Sequence, residues 1–100
     1  MVSGFDRYFQ VALSLIHIYS KAIAEDIQNQ VVTFIQPENK REIKPATESI
    51  YLLWNTNVPA VLVECGFLSN PSEAQLLKDA SYQDKMAFSI FCGILKYMSQ

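Results

Sequence analysis

From Ser20 onward, apolar residues recur at steps of three and four: Ile23, Ala24, Ile27, Val31, Phe34 and Ile35. Lys21, Glu25, Asp26, Gln28 and Asn29 fill the positions between them. This spacing predicts an amphipathic helix, with Ser20 as its N-cap and Pro37 as its stop. The same period returns near the C-terminus, where Met86, Ala87, Ile90, Phe91, Ile94 and Tyr97 form an apolar face on a helix opened by Ser81-Tyr82-Gln83-Asp84. Cys92 is expected in the core beside that face. Gly93 costs such a helix up to ~1 kcal/mol against Ala, which points to close packing at that position. Between the two helices the period changes. Ala60 to Val63 is a continuous, β-branched-rich apolar run, with Pro59 before it and Gly66 after it. It reads as a strand buried on both faces of a mostly parallel sheet.

Ile50–Leu53 is a second strand candidate. The link from Asn55 to Pro59 is short for a right-handed parallel crossover, so the two runs are either an antiparallel neighbouring pair or joined through a cramped helical turn. A short helix begins at Asn70-Pro71-Ser72-Glu73, with Asn70 capping, Pro71 in the first turn and Glu73 reaching back to the cap amide. Leu76 and Leu77 pack it down. Gln36 to Glu48 is a polar loop with a short extended piece at Arg41–Lys44. The architecture expected is α/β: a three-layer fragment with a mostly parallel sheet covered by helices, in which Ile27, Val31, Ile90 and Ile94 face Val61 and Val63.

A chain of 100 residues, half of them hydrophobic, makes one domain with a modest core. A formal charge of −2 and the lack of a basic stripe exclude nucleic acid as the expected partner. No apolar run approaches the ~20 residues of a transmembrane span. Val11–Tyr19 followed by Ala22-Ile23-Ala24 superficially resembles a signal peptide, but Asp6 and His17 interrupt the pattern. Cys65 and Cys92 have neither the spacing of a zinc site nor the density of a disulfide scaffold.

The chemistry converges on Glu64, a carboxylate at the end of the Ala60–Val63 strand, where ligands gather in open α/β sheets. Taken alone, it is a strand-end carboxylate that is either solvated or salt-bridged, because burial without a partner is costly. Its surroundings add more. Pro59-Ala60-Val61-Leu62-Val63-Glu64-Cys65-Gly66-Phe67-Leu68-Ser69-Asn70, followed by Pro71, Glu73 and Ala74, resembles the C-terminal motif of zinc-dependent N-acetylmuramoyl-L-alanine amidases. The details lie nearest the spore-cortex, germination-type members, and the resemblance runs from about Ser20 to Tyr97.

The resemblance implies that Glu64 is the catalytic acid/base in hydrolysis of the amide between N-acetylmuramic acid and the L-alanine of the stem peptide. It implies peptidoglycan or a muropeptide as partner and an extracytoplasmic location, in cell wall or spore cortex. It also implies zinc in the complete domain, held by two histidines and a glutamate of its N-terminal half. This sequence has neither that half's Gly-His-Gly-Gly nor its Ser-Ile-His-Ala-Asn, so no metal is expected on the chain alone. Arg41, in the basic cluster Lys40, Arg41 and Lys44, is either part of a solvated loop face or, as the resemblance suggests, a holder of an anionic glycan or peptide.

Residues 1–18 are expected to stand outside the fold, unassigned or artefactual. Leu13-Ser14-Leu15-Ile16-His17-Ile18 matches the translation of a sequencing adapter in one frame, and His17, the sole histidine, only faintly echoes a zinc-ligand motif. Residues 19–100 are then the C-terminal part of an amidase catalytic domain, with its N-terminal half missing and little activity expected by itself. A non-catalytic amidase-like remnant or wall-binding module is the alternative. A Cys65-dependent amidohydrolase is a third reading, weakened because Cys65 follows Glu64 and so points to the opposite face of the strand.

Overall fold

A computed structural model describes residues 10–13 and 17–100, with side chains from residue 19 onward. In chain order the elements are strand β1 (Gln10–Leu13), helix α1 (His17–Phe34), strand β2 (Lys44–Pro45), helix α2 (Tyr51–Asn55), strand β3 (Val61–Glu64), and helices α3 (Pro71–Lys78) and α4 (Ala80–Met98).

The core is the seam between α1 and α4. Ala24, Ile27 and Val31, spaced to share one face of α1, are fully buried with Met86 of α4. Val61, Val63 and Cys65 pack on this cluster from the sheet, and Ile90 packs on it from α4. Gly93 explains how the helices meet. A Cβ there would lie 2.5 Å from the Ile27 Cα and 2.8 Å from the Ile27 nitrogen, so the two backbones are in direct contact. Small residues therefore line the centre of the α4 face, where Ser89 and Gly93 are buried. The larger side chains are displaced outward. Ile94, expected in the core, is 39% exposed, and Phe91 is 54% exposed. Phe34 on α1 is likewise turned to solvent, and Cys92 is half-buried at the rim instead of in the core.

Helix α1 starts at His17, not Ser20. Ser20 is buried inside the helix, and its hydroxyl accepts the Ala60 backbone N–H at 3.0 Å, so it secures the entry to β3 and does not cap α1. The strand expected at Ile50–Leu53 is instead part of α2, a single helical turn. Ile50 and Leu53 are three residues apart and pack with Ala46 and Ala60, while Tyr51 and Leu52 face solvent. A short apolar run supports either structure, and here the three-residue spacing decides for helix. The start of α4 also shifts: Asp79, not Ser81, caps it by accepting the Tyr82 N–H at 2.8 Å.

The sheet of the described residues has the order β2-β1-β3. β1 runs parallel to β2 and antiparallel to β3, with Gln10 opposite Glu64 and Leu13 opposite Val61. A mostly parallel sheet was expected; the described residues show one parallel and one antiparallel pairing, and β1, which makes both, falls within residues 1–18. Residues 1–9 and 14–16 and the His17 side chain lie outside the described residues, so the readings placed on them receive no structural account. The expected three layers reduce to two among the described residues. The core lies on the Val61 and Val63 face of β3, while Leu62, which alternation directs to the other face, is 40% exposed.

Replacing Gly93 by Ala should force the α1 and α4 backbones apart and destabilise the chain by about 1–3 kcal/mol or more, the cost of overpacking a fixed contact. The urea midpoint measures this. Gly66→Ala, whose Cβ would come no nearer than 3.2 Å to any side chain, should cost less. A Gly93→Ala midpoint equal to that of the unaltered chain would contradict the backbone contact.

Candidate active site

Glu64 is the last residue of β3 and is half-buried. Side chains alternate along a strand, so the inward packing of Val61, Val63 and Cys65 assigns Glu64 to the opposite side, away from the α1–α4 core. Among the described residues, no hydrogen bond or ion pair engages its carboxylate. Its carboxylate thus lies at the end of β3, on the side away from the helix core.

The chain leaving Glu64 is held tightly. The Phe67 N–H donates to Glu73 Oε1 at 3.0 Å, and the Phe67 carbonyl accepts the Asn70 N–H at 3.1 Å. The Asn70 side chain caps α3, accepting from the amides of Ser72 at 3.0 Å and Glu73 at 3.3 Å. The expected return contact from Glu73 to the cap amide is not made. Asn70 gives its N–H to Phe67 instead, and the Glu73 carboxylate turns to the Phe67 amide. Gly66 lies under that carboxylate, and its lack of a side chain leaves the space.

Arg41 reaches the same loop from the other side. Its guanidinium carbon is 5.8 Å from the centroid of the Phe67 ring, within cation–π range. The backbone of Arg41 is anchored twice: its carbonyl accepts from Gln28 Nε2 at 3.0 Å, and its N–H donates to Asn39 Oδ1 at 2.9 Å. Asn39 in turn donates to Gln36 Oε1 at 2.9 Å, and Gln36 Nε2 donates to the Tyr82 hydroxyl at 2.6 Å. Gln28, Gln36 and Asn39 are all buried, so this polar chain ties the loop before Arg41 to both long helices. The structure thus brings Arg41 to Phe67, three residues past Glu64. No ion pair joins Arg41 to Glu64 among the described residues. The sequence reading treated Phe67 only as part of a motif and Glu73 only as a helix-start residue. The signal for their shared role was the spacing from Phe67 to the first turn of α3.

Among the described residues, no group of three or more His, Cys, Asp or Glu side chains is arranged to hold a metal ion. Glu64 has no histidine beside it there, so the described donor set does not fit a zinc site. Nor does Cys65 provide a competing centre. Its thiol lies against the helix core and lines an apolar cavity of about 280 Å³ with Leu77, Tyr82, Met86 and Ile90. Burial pushes its pKa above the ordinary 9.0, which keeps it protonated and weakly nucleophilic at neutral pH.

A family profile described as N-acetylmuramoyl-L-alanine amidase matches residues 2–96. The chain belongs to this family. The amidase match reaches well before Ser20, so the similarity takes in most of the first 18 residues that the sequence reading set apart. The germination-specific N-acetylmuramoyl-L-alanine amidase of Bacillus subtilis (strain 168) is 46% identical over 77 residues, covering 71% of this chain and 32% of that protein. The amidase LytC of the same organism is 33% identical, covering 95% of this chain and 18% of its own length. Among solved structures, the CwlD amidase from Clostridioides difficile, in complex with the GerS lipoprotein, superposes with a TM-score of 0.87 at 40% identity. That match covers 96% of this chain and 50% of the amidase. This chain therefore spans about half the length of that solved relative and less of the two Bacillus proteins.

In a Cys92→Ser chain, alkylation of Cys65 by iodoacetamide should stay slow from pH 7 to 9 and rise only at higher pH. The raised pKa reduces the thiolate at every pH below it. The same thiol in urea should react faster. Alkylation of the folded chain at pH 7 as fast as that of the urea-unfolded one would contradict a buried, unactivated cysteine.

Proposed function

We propose that residues 19–100 form the C-terminal part of an amidase catalytic domain that hydrolyses the amide between N-acetylmuramic acid and the L-alanine of the stem peptide. Glu64 is its general acid/base. The observation that carries this reading is the position of Glu64 at the end of β3, facing away from the core, inside the Pro59–Asn70 block that resembles the family motif. Spore-cortex peptidoglycan is the substrate that the similarity to the germination-specific protein favours, and such a substrate places the enzyme outside the cytoplasm. No helix among the described residues is long and apolar enough to cross a membrane.

Amide hydrolysis requires a water to lose a proton as it attacks the carbonyl carbon and the departing nitrogen to gain one. A carboxylate at Glu64 accepts the first proton on one oxygen and returns it to the nitrogen as the C–N bond breaks. Arg41, whose guanidinium lies over the Phe67 ring three residues past Glu64, is assigned the holding of an anionic group of the glycan or peptide while Glu64 acts. The family is generally zinc-dependent, and zinc supplies carbonyl polarisation and water activation in such chemistry. Its ligands are not found among the described residues. The alternative reading is that this chain keeps the fold as a wall-binding module and performs no hydrolysis.

The two readings separate in a hybrid that joins residues 19–100 to the N-terminal half of a close relative. With zinc present, it should release L-alanine-headed stem peptides from muropeptides. Glu64→Gln keeps the shape but removes the proton acceptor, and should lower turnover roughly 10²–10⁴-fold with zinc content unchanged. Cys65→Ala should leave turnover largely intact. Undiminished turnover in Glu64→Gln would show that another residue carries the proton, and a folded, zinc-loaded hybrid with no turnover would favour the binding module.

A further inference from the structure

We propose that Glu73 is a positioning residue for the Glu64 site: through the Phe67 amide it sets the exit of β3 and the ring on which Arg41 rests. This rests on the reading of Glu64 and Arg41 given above. Glu73 is only 8% exposed, an expensive place for a carboxylate unless it is used. Its place in the first turn of α3 eases that cost, because the helix dipole favours negative charge there. Yet its Oε1 turns away from the helix amides and takes the Phe67 N–H at 3.0 Å. The Phe67 carbonyl is held by Asn70, the cap of the same helix. Both backbone groups of Phe67 are thus bound to the N-terminal end of α3, and its ring can meet Arg41 only from that fixed position.

The consequence is mechanical. Glu64 and Phe67 are separated by Cys65, which is anchored in the core, and by Gly66, which has no side chain to resist movement. Without the Glu73 contact, the peptide after Gly66 loses a charge-assisted hydrogen bond, and the backbone that carries the Phe67 ring is released from the α3 end on its N–H side. Arg41 would keep its backbone anchors at Gln28 and Asn39 but lose the platform for its guanidinium. The contact that carries the influence of Glu73 to the site is its hydrogen bond to the Phe67 amide.

The test uses the isotopically labelled full-length chain in solution. In the unaltered chain, a scalar coupling across the hydrogen bond should join the Phe67 amide nitrogen to the Glu73 carboxyl carbon, and the Arg41 side-chain protons should carry an upfield ring-current shift from Phe67. Glu73→Ala should abolish that shift and speed exchange of the Phe67 amide about tenfold, the worth of one such bond. Glu73→Gln, which retains an acceptor oxygen, should keep both within about two- to threefold. A residue that merely stabilised α3 would leave Arg41 unmoved. An unchanged Arg41 shift in folded Glu73→Ala overturns the proposal, as does the absence of the coupling in the unaltered chain, a measurement that stands even if Glu73→Ala fails to fold. None of these readings requires turnover, so failure of the amidase hybrid would count against the proposed reaction and not against this contact.

Discussion

The contact between the Gly93 and Ile27 backbones is the constraint on which the other elements depend. Two helices separated by ordinary side chains lie 8–10 Å apart and adjust by changing rotamers. Here one helix presents bare backbone to the other, and that freedom is gone. The fixed seam provides the surface on which Val61 and Val63 pack, and the alternation of β3 then directs Glu64 outward. The orientation of the candidate acid/base is thus traceable to a glycine on a different element. Ser20 adds a second restraint by holding the Ala60 amide at the entry to the strand. A one-residue slip of β3 would invert its faces, and this bond opposes such a slip.

Around the site the polar groups are arranged as restraints, not as a ready-made ligand cage. Gln28, Gln36, Asn39 and Tyr82 hold the Arg41 loop from α1 and α4, while Glu73 and Asn70 hold the Phe67 loop from α3. The two loops meet where the guanidinium lies over the ring. Buried amides are costly to leave unpaired, and most here are used to fix backbone that has no regular structure of its own. Gln28 Oε1 is an exception, buried without a hydrogen-bond partner. The arrangement fixes the direction of the Arg41 loop and of the chain that leaves Glu64.

Much of this was legible from residue pattern. The three-and-four spacing located α1, the uninterrupted run located β3, and Asn70-Pro71 marked the start of α3. The inward packing of Cys65 followed from simple alternation. The failures also have physical causes. Ile50–Leu53 is too short for its period to distinguish strand from helix without knowledge of its neighbours. The buried face of α4 turned toward Ser89 and Gly93 because a close helix crossing selects small residues, which hydrophobicity alone ranks low. The mixed sheet depends on Gln10–Leu13, a stretch whose resemblance to a sequencing artefact hid its place in the pairing. Ser20 carried the signature of a cap, and only the folded chain shows the distant amide that it serves. For Glu64, the alternation of β3 shows the side it faces, and its role stays a proposal.

The seam between α1 and α4 also has a history written into its chain order. Among the described elements, its two helices lie on either side of all the others except β1. A chain emerging from the ribosome leaves the part of the α1 face that meets α4 uncovered until α4 is made, after the loops, β3 and α3. At roughly 5–20 residues per second, that interval lasts seconds, long compared with hydrophobic collapse. A ribosome stalled before Gly93 would hold a polypeptide with most of its elements made but its principal helix seam unclosed.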